Sequence, residues 1–189
     1  MGPGLIVLLV VLAAVVLIGL MYNGLVQLRV RAESAWSDID VQLKRRHDLI
    51  PNLVNAVKGA MDFEKSTLEA VIAARNKAVS AAGSGVAQVA QAEGQLTQAL
   101  GRLFALSENY PQLKATANIQ QLQEELTSTE NKVGFARQLY NDVATSYNTA
   151  QQQFPTNLVA GVAKAAPAEL WQIEDAGDRA VPNVDLKMS

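Results

Sequence analysis

The stretch DIDVQLKRRHDLIPNLV, residues 38–54, places three acids, three bases and the single histidine of the chain beside a proline in an apolar run. Around it one helical face is marked by residues at steps of three and four: Trp36, Ile39, Leu43, Arg46, Ile50, Leu53, Val57 and Ala60. This register crosses Pro51 without a change of phase, which favours one continuous helix kinked at Pro51. The alternative is a new helix with Asp48 as N-cap and Pro51 in its first turn.

The polar residues of this stretch could be read as a catalytic cluster, but helical geometry argues against that reading. Asp38 and Asp40 are two residues apart and point about 200° away from each other, so they cannot share a proton. Lys44 has Asp40 and Asp48 at i, i+4 spacing, the pattern of a solvated helix face. No motif places a serine, a cysteine or a second acid to work with His47. We therefore predict no catalytic residues here.

Two charged residues, Arg46 and Glu64, lie in the register of the apolar stripe itself. A charge in that position must be paired with another helix or lie at a subunit contact. A continuous helix over 23–80 would be roughly 87 Å long, against roughly 36 Å for its partner over 86–109, so it could leave surface for other subunits. The candidate packing or assembly residues of this helix are Trp36, Arg46, Pro51 and Glu64.

Two further helices follow. An apolar stripe runs from Val86 to Tyr110, and a second one, about five heptads long, runs from Ile119 to Phe154. Tyr140 and Tyr147 share one heptad position of the second stripe, which is typical of packing in a core or an interface. No alternating strand pattern is present, so we predict an all-α fold: an N-terminal transmembrane helix followed by an antiparallel bundle of long helices.

Breaks in the periodicity mark the turns. SAAGSG at 80–85 and ENYPQLK at 108–114 supply glycine and proline where the stripes stop, and the first lacks the Gly-Lys-Ser/Thr of a phosphate loop. Pro155 ends the last long helix. Beyond it we expect a short helix around Ala168–Ala176 and loosely held chain. The predicted organisation is an anchor at 1–22, a bundle over 23–156, and a short helix with a flexible tail over 157–189.

The run LIVLLVVLAAVVLIGLMY, residues 5–22, contains no charge and is nearly as long as a bilayer-spanning helix. A cleaved signal peptide is the main competitor, but MGPG has no Lys or Arg and no small-x-small site follows. Basic residues follow the run, beginning with Arg29 and Arg31, which favours an N-terminus outside and a bundle in the cytoplasm. We expect a single-pass protein of the inner (cytoplasmic) membrane of the cell.

Composition narrows the function. Apolar residues make up 49% of the 189 residues but aromatic residues only 5%, and the net charge is -2. This balance is typical of a helical bundle and unlike a domain that binds nucleic acid through phosphates. The absence of cysteine and the single histidine exclude disulfides, thiolate metal sites and multi-histidine metal sites. We expect no metal or other cofactor and no nucleic acid partner.

Several separated blocks resemble the LemA family in the same order along nearly the whole chain. They are YNGLVQLRVRAESAWSDIDVQLKRRHDLIPNLVNAVKG at 22–59, LEAVIAAR at 68–75, AEGQLTQALGRLFALSENYPQLKA at 92–115, LQEELTSTENKVGFARQLYNDVATSYNTAQQQFPTN at 122–157 and AVPNVDL at 180–186. The resemblance implies a membrane-anchored cytoplasmic helical bundle without an established enzymatic activity. A relative in magnetosome formation suggests a role in membrane organisation. This chain departs from the family in LVAGVAKAAPAELW, residues 158–171, which is rich in alanine.

The predicted function is a non-enzymatic, self-assembling scaffold that organises or remodels the membrane, with the lipid bilayer and further copies of the chain as partners. The regular stripe over 119–154 and the stripe charges motivate it. The alternative is a membrane-tethered adaptor that presents a membrane protease or signalling protein. An enzyme is the third possibility, and it would depend on Asp38, Asp40 and His47.

Overall fold

The computed structural model describes residues 2–60, 64–110, 113 and 116–172. Of these described residues 85% are helical and none lies in a strand. The five helices of this part are α1 at Pro3–Ala60, α2 at Lys65–Ser80, α3 at Val86–Ser107, α4 at Ala117–Gln152 and α5 at Thr156–Val162. The predicted all-α fold, with a long apolar helix leading into a bundle, is confirmed.

Helix α1 is continuous for 58 residues and contains Pro51. The alternative of a new helix capped by Asp48 is therefore wrong, while the kink at Pro51 stays a prediction. Proline has no N–H, so the carbonyl of His47, four residues earlier, loses its helical donor. Arg75 of α2 supplies a replacement, because its Nε–H donates to that carbonyl oxygen at 3.3 Å. A tertiary hydrogen bond thus fills the gap that Pro51 leaves in the backbone ladder.

The predicted single helix over 23–80 is wrong at its C-terminal end. Helix α1 ends at Ala60, and α2 begins at Lys65 as a separate element; residues 61–63 lie outside the described part. Glu64 consequently does not extend the stripe of α1. It precedes α2, its side chain is exposed, and it accepts a hydrogen bond from Thr67 Oγ1 at 3.3 Å.

Helices α2 and α3 form a hairpin closed by the predicted glycine turn. Gly83 and Gly85 have φ values of +79° and +111°, a region that side chains with a Cβ rarely occupy. Helix α3 begins at Val86, immediately after this turn. The second predicted turn, ENYPQLK, is described only at 108–110 and at Leu113, which is buried.

Helices α1 and α4 run antiparallel side by side. Arg46 of α1 meets Glu130 near the start of α4, while Leu25 shares a buried cluster with Tyr147 near its end. One large core cluster joins α1, α2, α3 and the first part of α4 at the far end of the bundle, around Leu53, Val71 and Leu96. A second cluster joins α1, α3 and α4 in the middle of the bundle. The apolar residues at the heptad positions of α4 therefore pack against other helices of the same chain.

The N-terminal third of α1 packs against nothing in the described chain. Every residue from Pro3 to Leu20 is exposed, and the most apolar 18-residue window has a mean hydropathy of 3.2. Leaving so many large apolar side chains in water would cost roughly 1.5–3 kcal/mol each, whereas a bilayer accommodates them. Beyond this segment, the first buried side chain of α1 is that of Leu25.

The tail differs from its prediction. The long helix ends at Gln152, as Pro155 predicts, but a short helix lies at Thr156–Val162, and residues 168–172 of the predicted one are non-helical. Residues 165–172 are non-helical and their backbone is held by side chains of α4, so this part is not loosely held. The rest of the predicted tail, 173–189, lies outside the described residues.

Candidate functional site

A cluster of charged side chains lies inside the bundle where α1, α3 and α4 meet. At its centre is Arg46, which is only 2% exposed. Arg46 Nη1 lies 3.2 Å from Glu93 Oε2, and Nη2 lies 2.8 Å from Glu130 Oε2. Nη2 also donates to Thr97 Oγ1 at 2.9 Å, and that hydroxyl donates to Glu130 Oε1 at 3.3 Å. The guanidinium thus links three helices.

His47 completes this group, which we call the Arg46 cluster: Arg46, His47, Glu93, Thr97 and Glu130. His47 Nε2 lies 2.6 Å from Glu93 Oε1, and Glu93 is itself only 3% exposed. Glu93 meets the Arg46 guanidinium through its other oxygen, Oε2, at 3.2 Å. Both carboxylate oxygens of Glu93 are therefore engaged within the chain.

The Arg46 cluster has the character of a structural network. In a desolvated setting each charge needs all of its partners, and removal of one leaves another buried and unpaired. Among the described residues, no group of three or more His, Cys, Asp and Glu side chains could hold a metal ion. Asp38 and Asp40, the predicted alternatives for acid–base chemistry, are both exposed on α1 and lie outside the cluster.

The cluster faces a cavity of about 750 Å³ between α3 and α4. Arg46, Glu93 and Glu130 line its inner wall, and Arg137 and Trp171 contribute further along. The cavity is therefore polar on one side and is bordered by the tail of the chain. It is large enough for a side chain or a short peptide from a partner.

The tail is bound to α4 by two asparagines, and we call residues 168–171 the strap. Asn148 donates from Nδ2 to the carbonyl of Ala168 at 2.8 Å and accepts the Ala168 N–H at 2.7 Å. Asn141 does the same with Trp171, at 3.0 and 2.9 Å. Seven residues of helix span roughly 10.5 Å and three residues of extended chain roughly 10 Å. The two spacings match, so the strap runs antiparallel to α4.

Aromatic rings and one carboxylate fasten the strap to the other helices. The ring of Trp36 lies 5.2 Å from that of Tyr140, edge to face, and 5.9 Å from that of Trp171. Tyr140 donates its hydroxyl to the carbonyl of Glu169 at 2.6 Å, and Glu169 Oε2 accepts the N–H of Val86 at 3.0 Å. That carboxylate sits at the N-terminus of α3, where a negative charge is favourable. The strap thereby joins α1, α3 and α4.

The predicted packing or assembly residues fall into two groups. Arg46, Tyr140 and Tyr147 are buried and Trp36 is half-buried, all of them in contacts within the chain. Pro51 and Glu64 are exposed. The i, i+4 pairs expected around Lys44 do not occur among the ion pairs of the described residues, although Lys44, Asp40 and Asp48 are exposed as a solvated face requires.

Sequence reasoning missed the partners of these residues. Glu93 occupies a core position of α3, between Val89 and Leu96, and a charge in an apolar stripe is the same signal that Arg46 carries. The dipeptide Tyr-Asn occurs at 140–141 and again at 147–148, one heptad apart. That repeat could have indicated the paired asparagines. Nothing in the sequence pattern links Arg75 to the carbonyl of His47.

The exposed apolar helix and the bundle that continues from it define a membrane-anchored helical protein, whose buried polar groups serve its own packing. The model of the LemA family matches residues 35–186, and the chain belongs to the LemA family. Magnetosome protein MamQ 2 of Paramagnetospirillum magneticum (strain ATCC 700264 / AMB-1) is 26% identical over 181 residues, covering 83% of this chain. Protein LemA of Metamycoplasma hominis is 28% identical over 138 residues, covering 73% of this chain.

The relatives are longer than this chain. It spans 66% of the length of MamQ 2 and 63% of the length of the Metamycoplasma hominis protein. Magnetosome protein MamQ of Magnetospirillum gryphiswaldense, at 25% identity, is likewise covered over 66% of its length. The match to the family model begins at residue 35, beyond the exposed apolar segment of α1, and covers the bundle.

Proposed function

We propose that this protein is a non-enzymatic scaffold of the bacterial inner membrane that associates laterally with further copies of itself. The observation that carries the proposal is an unpartnered apolar pair on the outer face of α4. Phe135 is 73% exposed and Leu139, one turn further on, is also exposed. Adjacent exposed apolar side chains, more than scattered single ones, mark a surface as a candidate contact site.

A second copy is the occupant that the anchor favours. Helix α1 runs without interruption from the apolar segment into the bundle, so the anchor restricts the height of α4 above the membrane. Copies in one bilayer then present Phe135 and Leu139 at the same level, and confinement to a plane raises their effective concentration. A small interface is sufficient under those conditions. The buried heptad residues of α4, which include Tyr140 and Tyr147, stabilise the fold of the single chain and take no part in this contact.

The non-enzymatic part of the proposal is supported by the Arg46 cluster. Its guanidinium is shared by two carboxylates and a hydroxyl, and its histidine is held by Glu93. Groups that are tied to one another in this way stabilise a bundle and are poorly placed to accept a proton from a substrate. Neither the MamQ relatives nor the LemA relative has a name that describes an enzyme.

Cysteine crosslinking in membranes tests lateral association, because the chain contains no cysteine. Phe135→Cys is expected to give a disulfide-linked dimer when the membranes are oxidised. Ala73→Cys, an exposed position on α2, is the matched control and is expected to stay monomeric. Equal dimer yields at the two positions, or none at Phe135→Cys and Leu139→Cys, would contradict the proposal.

The proposed topology places the N-terminus outside and the bundle in the cytoplasm. Arg29 and Arg31, exposed on α1 just beyond the apolar run, support this orientation through the positive-inside rule. Protease added to intact spheroplasts is expected to leave the bundle uncut. Cleavage of the bundle before the cells are lysed would reverse the orientation.

An adaptor is the second candidate, and the cavity between α3 and α4 favours it. A photocrosslinking residue in place of Gln91, which lines the cavity and is exposed, tests this function in cells. A product that contains one defined foreign membrane protein supports the adaptor. Products that contain only further copies of this chain favour the scaffold.

A further inference from the structure

The turn after α4 and the short helix α5 present apolar side chains to the outside. Phe154 is 80% exposed, Leu158 64% and Val162 88%. They are spaced by four residues. The opposite side of α5 is fixed to the bundle, since Val159 and Ala160 are buried. The exposed residues are therefore held in a defined direction by a packed helix.

This apolar group lies at the end of the bundle from which the membrane anchor emerges. Ala160 shares a buried cluster with Leu25 of α1 and Tyr147 of α4. Leu25 is three residues, roughly 4.5 Å of helix, beyond Tyr22, the last residue of the uncharged apolar run. Because α4 runs antiparallel to α1, its last residues continue from Tyr147 towards the anchor, and Phe154 follows them.

The charges around this group are suited to a lipid surface. From Val143 to Ala168 the sequence contains no acidic residue, and its one charge is Lys164, which is exposed. Arg29 and Lys164 border the same surface pocket together with Glu33, which forms an exposed ion pair with Arg29 at 2.9 Å and leaves Lys164 as the basic group without an acidic neighbour in residues 154–164. Arg31, one helical turn from Leu28, is exposed too. Basic side chains next to exposed apolar ones are the pattern of segments that lie in the interface of a membrane with anionic lipids.

We propose that residues 154–164, which we call the foot, lie in the interfacial layer of the membrane that holds α1. Phe154, Leu158 and Val162 enter the boundary between headgroups and acyl chains, and Lys164 lies among the headgroups. The continuity of the foot with the anchor favours lipid over a second copy as its occupant. The inference rests on the membrane anchor of the proposed function and is independent of lateral association. It gives the bundle a second attachment that limits its tilt against the bilayer.

Site-directed spin labelling of the full chain tests the foot. Phe154→Cys, Leu158→Cys and Val162→Cys each carry one nitroxide, because the native chain has no cysteine. The matched control is Val41→Cys, an apolar position of α1 that is 60% exposed and lies 19 residues, roughly 28 Å of helix, beyond Tyr22 at the end of the apolar run. The protein is reconstituted in vesicles of phosphatidylethanolamine and phosphatidylglycerol. We expect the ratio of collision rates with oxygen and with a water-soluble nickel chelate to be several-fold higher at the three foot positions.

Nanodiscs that hold one chain each separate lipid contact from self-association. A high ratio at the foot positions that persists at one chain per disc supports the proposal, whatever the crosslinking of Phe135→Cys shows. A foot ratio equal to that of the Val41→Cys control in vesicles overturns it. So does a high ratio that falls to the control value in single-chain discs, because a second copy then covered the foot. Circular dichroism of each labelled variant verifies that the bundle is intact.

Discussion

The Arg46 cluster and the strap both place polar groups inside the bundle, but they do so with different chemistry. The cluster joins α1 to α3 through Arg46 and Glu93, charges that are nearly inaccessible to water, and joins α1 to α4 through Glu130, whose side chain is 44% exposed. The strap joins the tail to α4 through neutral amides that pair with backbone N–H and C=O groups. Buried charges require every partner, whereas each amide pair is complete in itself. Damage to the cluster should therefore affect the whole fold, and damage to the strap should stay local.

The largest expected effect is that of Arg46→Met, which leaves Glu93 buried without its cation. We expect the free energy of unfolding to fall by about 3–5 kcal/mol. Denaturant unfolding in mild detergent, followed by circular dichroism, measures it. Arg45→Met is the matched control, because Arg45 is the exposed neighbour of Arg46 on the same helix.

A second variant identifies the cause. Glu93→Gln added to Arg46→Met removes the stranded charge and should restore a large part of the lost stability. If Arg46→Met unfolds no more readily than Arg45→Met, the cluster does not hold the three helices together.

Loss of one strap pair should have a smaller and more local effect. Asn148→Ala removes a donor to the carbonyl of Ala168 and the acceptor of its N–H. At about 0.5–1.5 kcal/mol per neutral hydrogen bond, the strap should open roughly tenfold more often. Hydrogen exchange of residues 165–172, measured by mass spectrometry, reports the change. The control is Asn131→Ala, an exposed asparagine of α4; faster exchange throughout the bundle in Asn148→Ala would show that the effect is not local.

The contact of Arg75 with the carbonyl of His47 combines the two chemistries, since a charged donor meets a neutral backbone acceptor. Arg75→Met should cost about 1.5–2 kcal/mol in the native chain, at the lower end of the range for hydrogen bonds from charged groups. In the Pro51→Ala background the restored N–H can serve the same carbonyl, so the cost should be lower. A double-mutant cycle by denaturant unfolding measures this coupling. Equal costs of Arg75→Met in the two backgrounds would show that Arg75 does not compensate for the N–H that Pro51 lacks.

The smallest effect concerns pH. Burial, and secondarily the charge of Glu169, raises the pKa of Tyr140. The folded chain therefore holds this phenol proton more tightly than the unfolded chain does. The contribution to stability is complete below the unfolded pKa of about 10 and is lost as the pH rises through the higher folded value. Exchange of the strap should accelerate in that alkaline range in the native chain. Tyr140→Phe, which cannot ionise there, should show no such additional step; a step of the same size would point to another group.

Particular residues show how far the sequence could predict the fold. Helix continuity through Pro51 followed from an unbroken stripe, and the turn at 80–85 followed from glycines that tolerate a positive φ. The end of α1 at Ala60 was missed because the apolar register continues in phase through Leu68 and Val71, so periodicity alone could not mark the break. At 168–172, where a helix was predicted, local preference was overridden by tertiary contacts. Alanine favours helix at 165–168, but pairing with Asn141 and Asn148 holds the strap extended.

Apolar periodicity and an uncharged run of eighteen residues were enough to establish an anchored all-α chain, because both depend on spacing along one helix. The partners of polar groups were decided by tertiary structure. The position of Arg46 in an apolar stripe predicted that the residue has a partner. Its partners, Glu93 and Glu130, lie 47 and 84 residues further along the chain. No local rule selects among the acids of α3 and α4. Only the crossing of three helices brings these carboxylates within reach of one guanidinium and directs the foot towards the anchor.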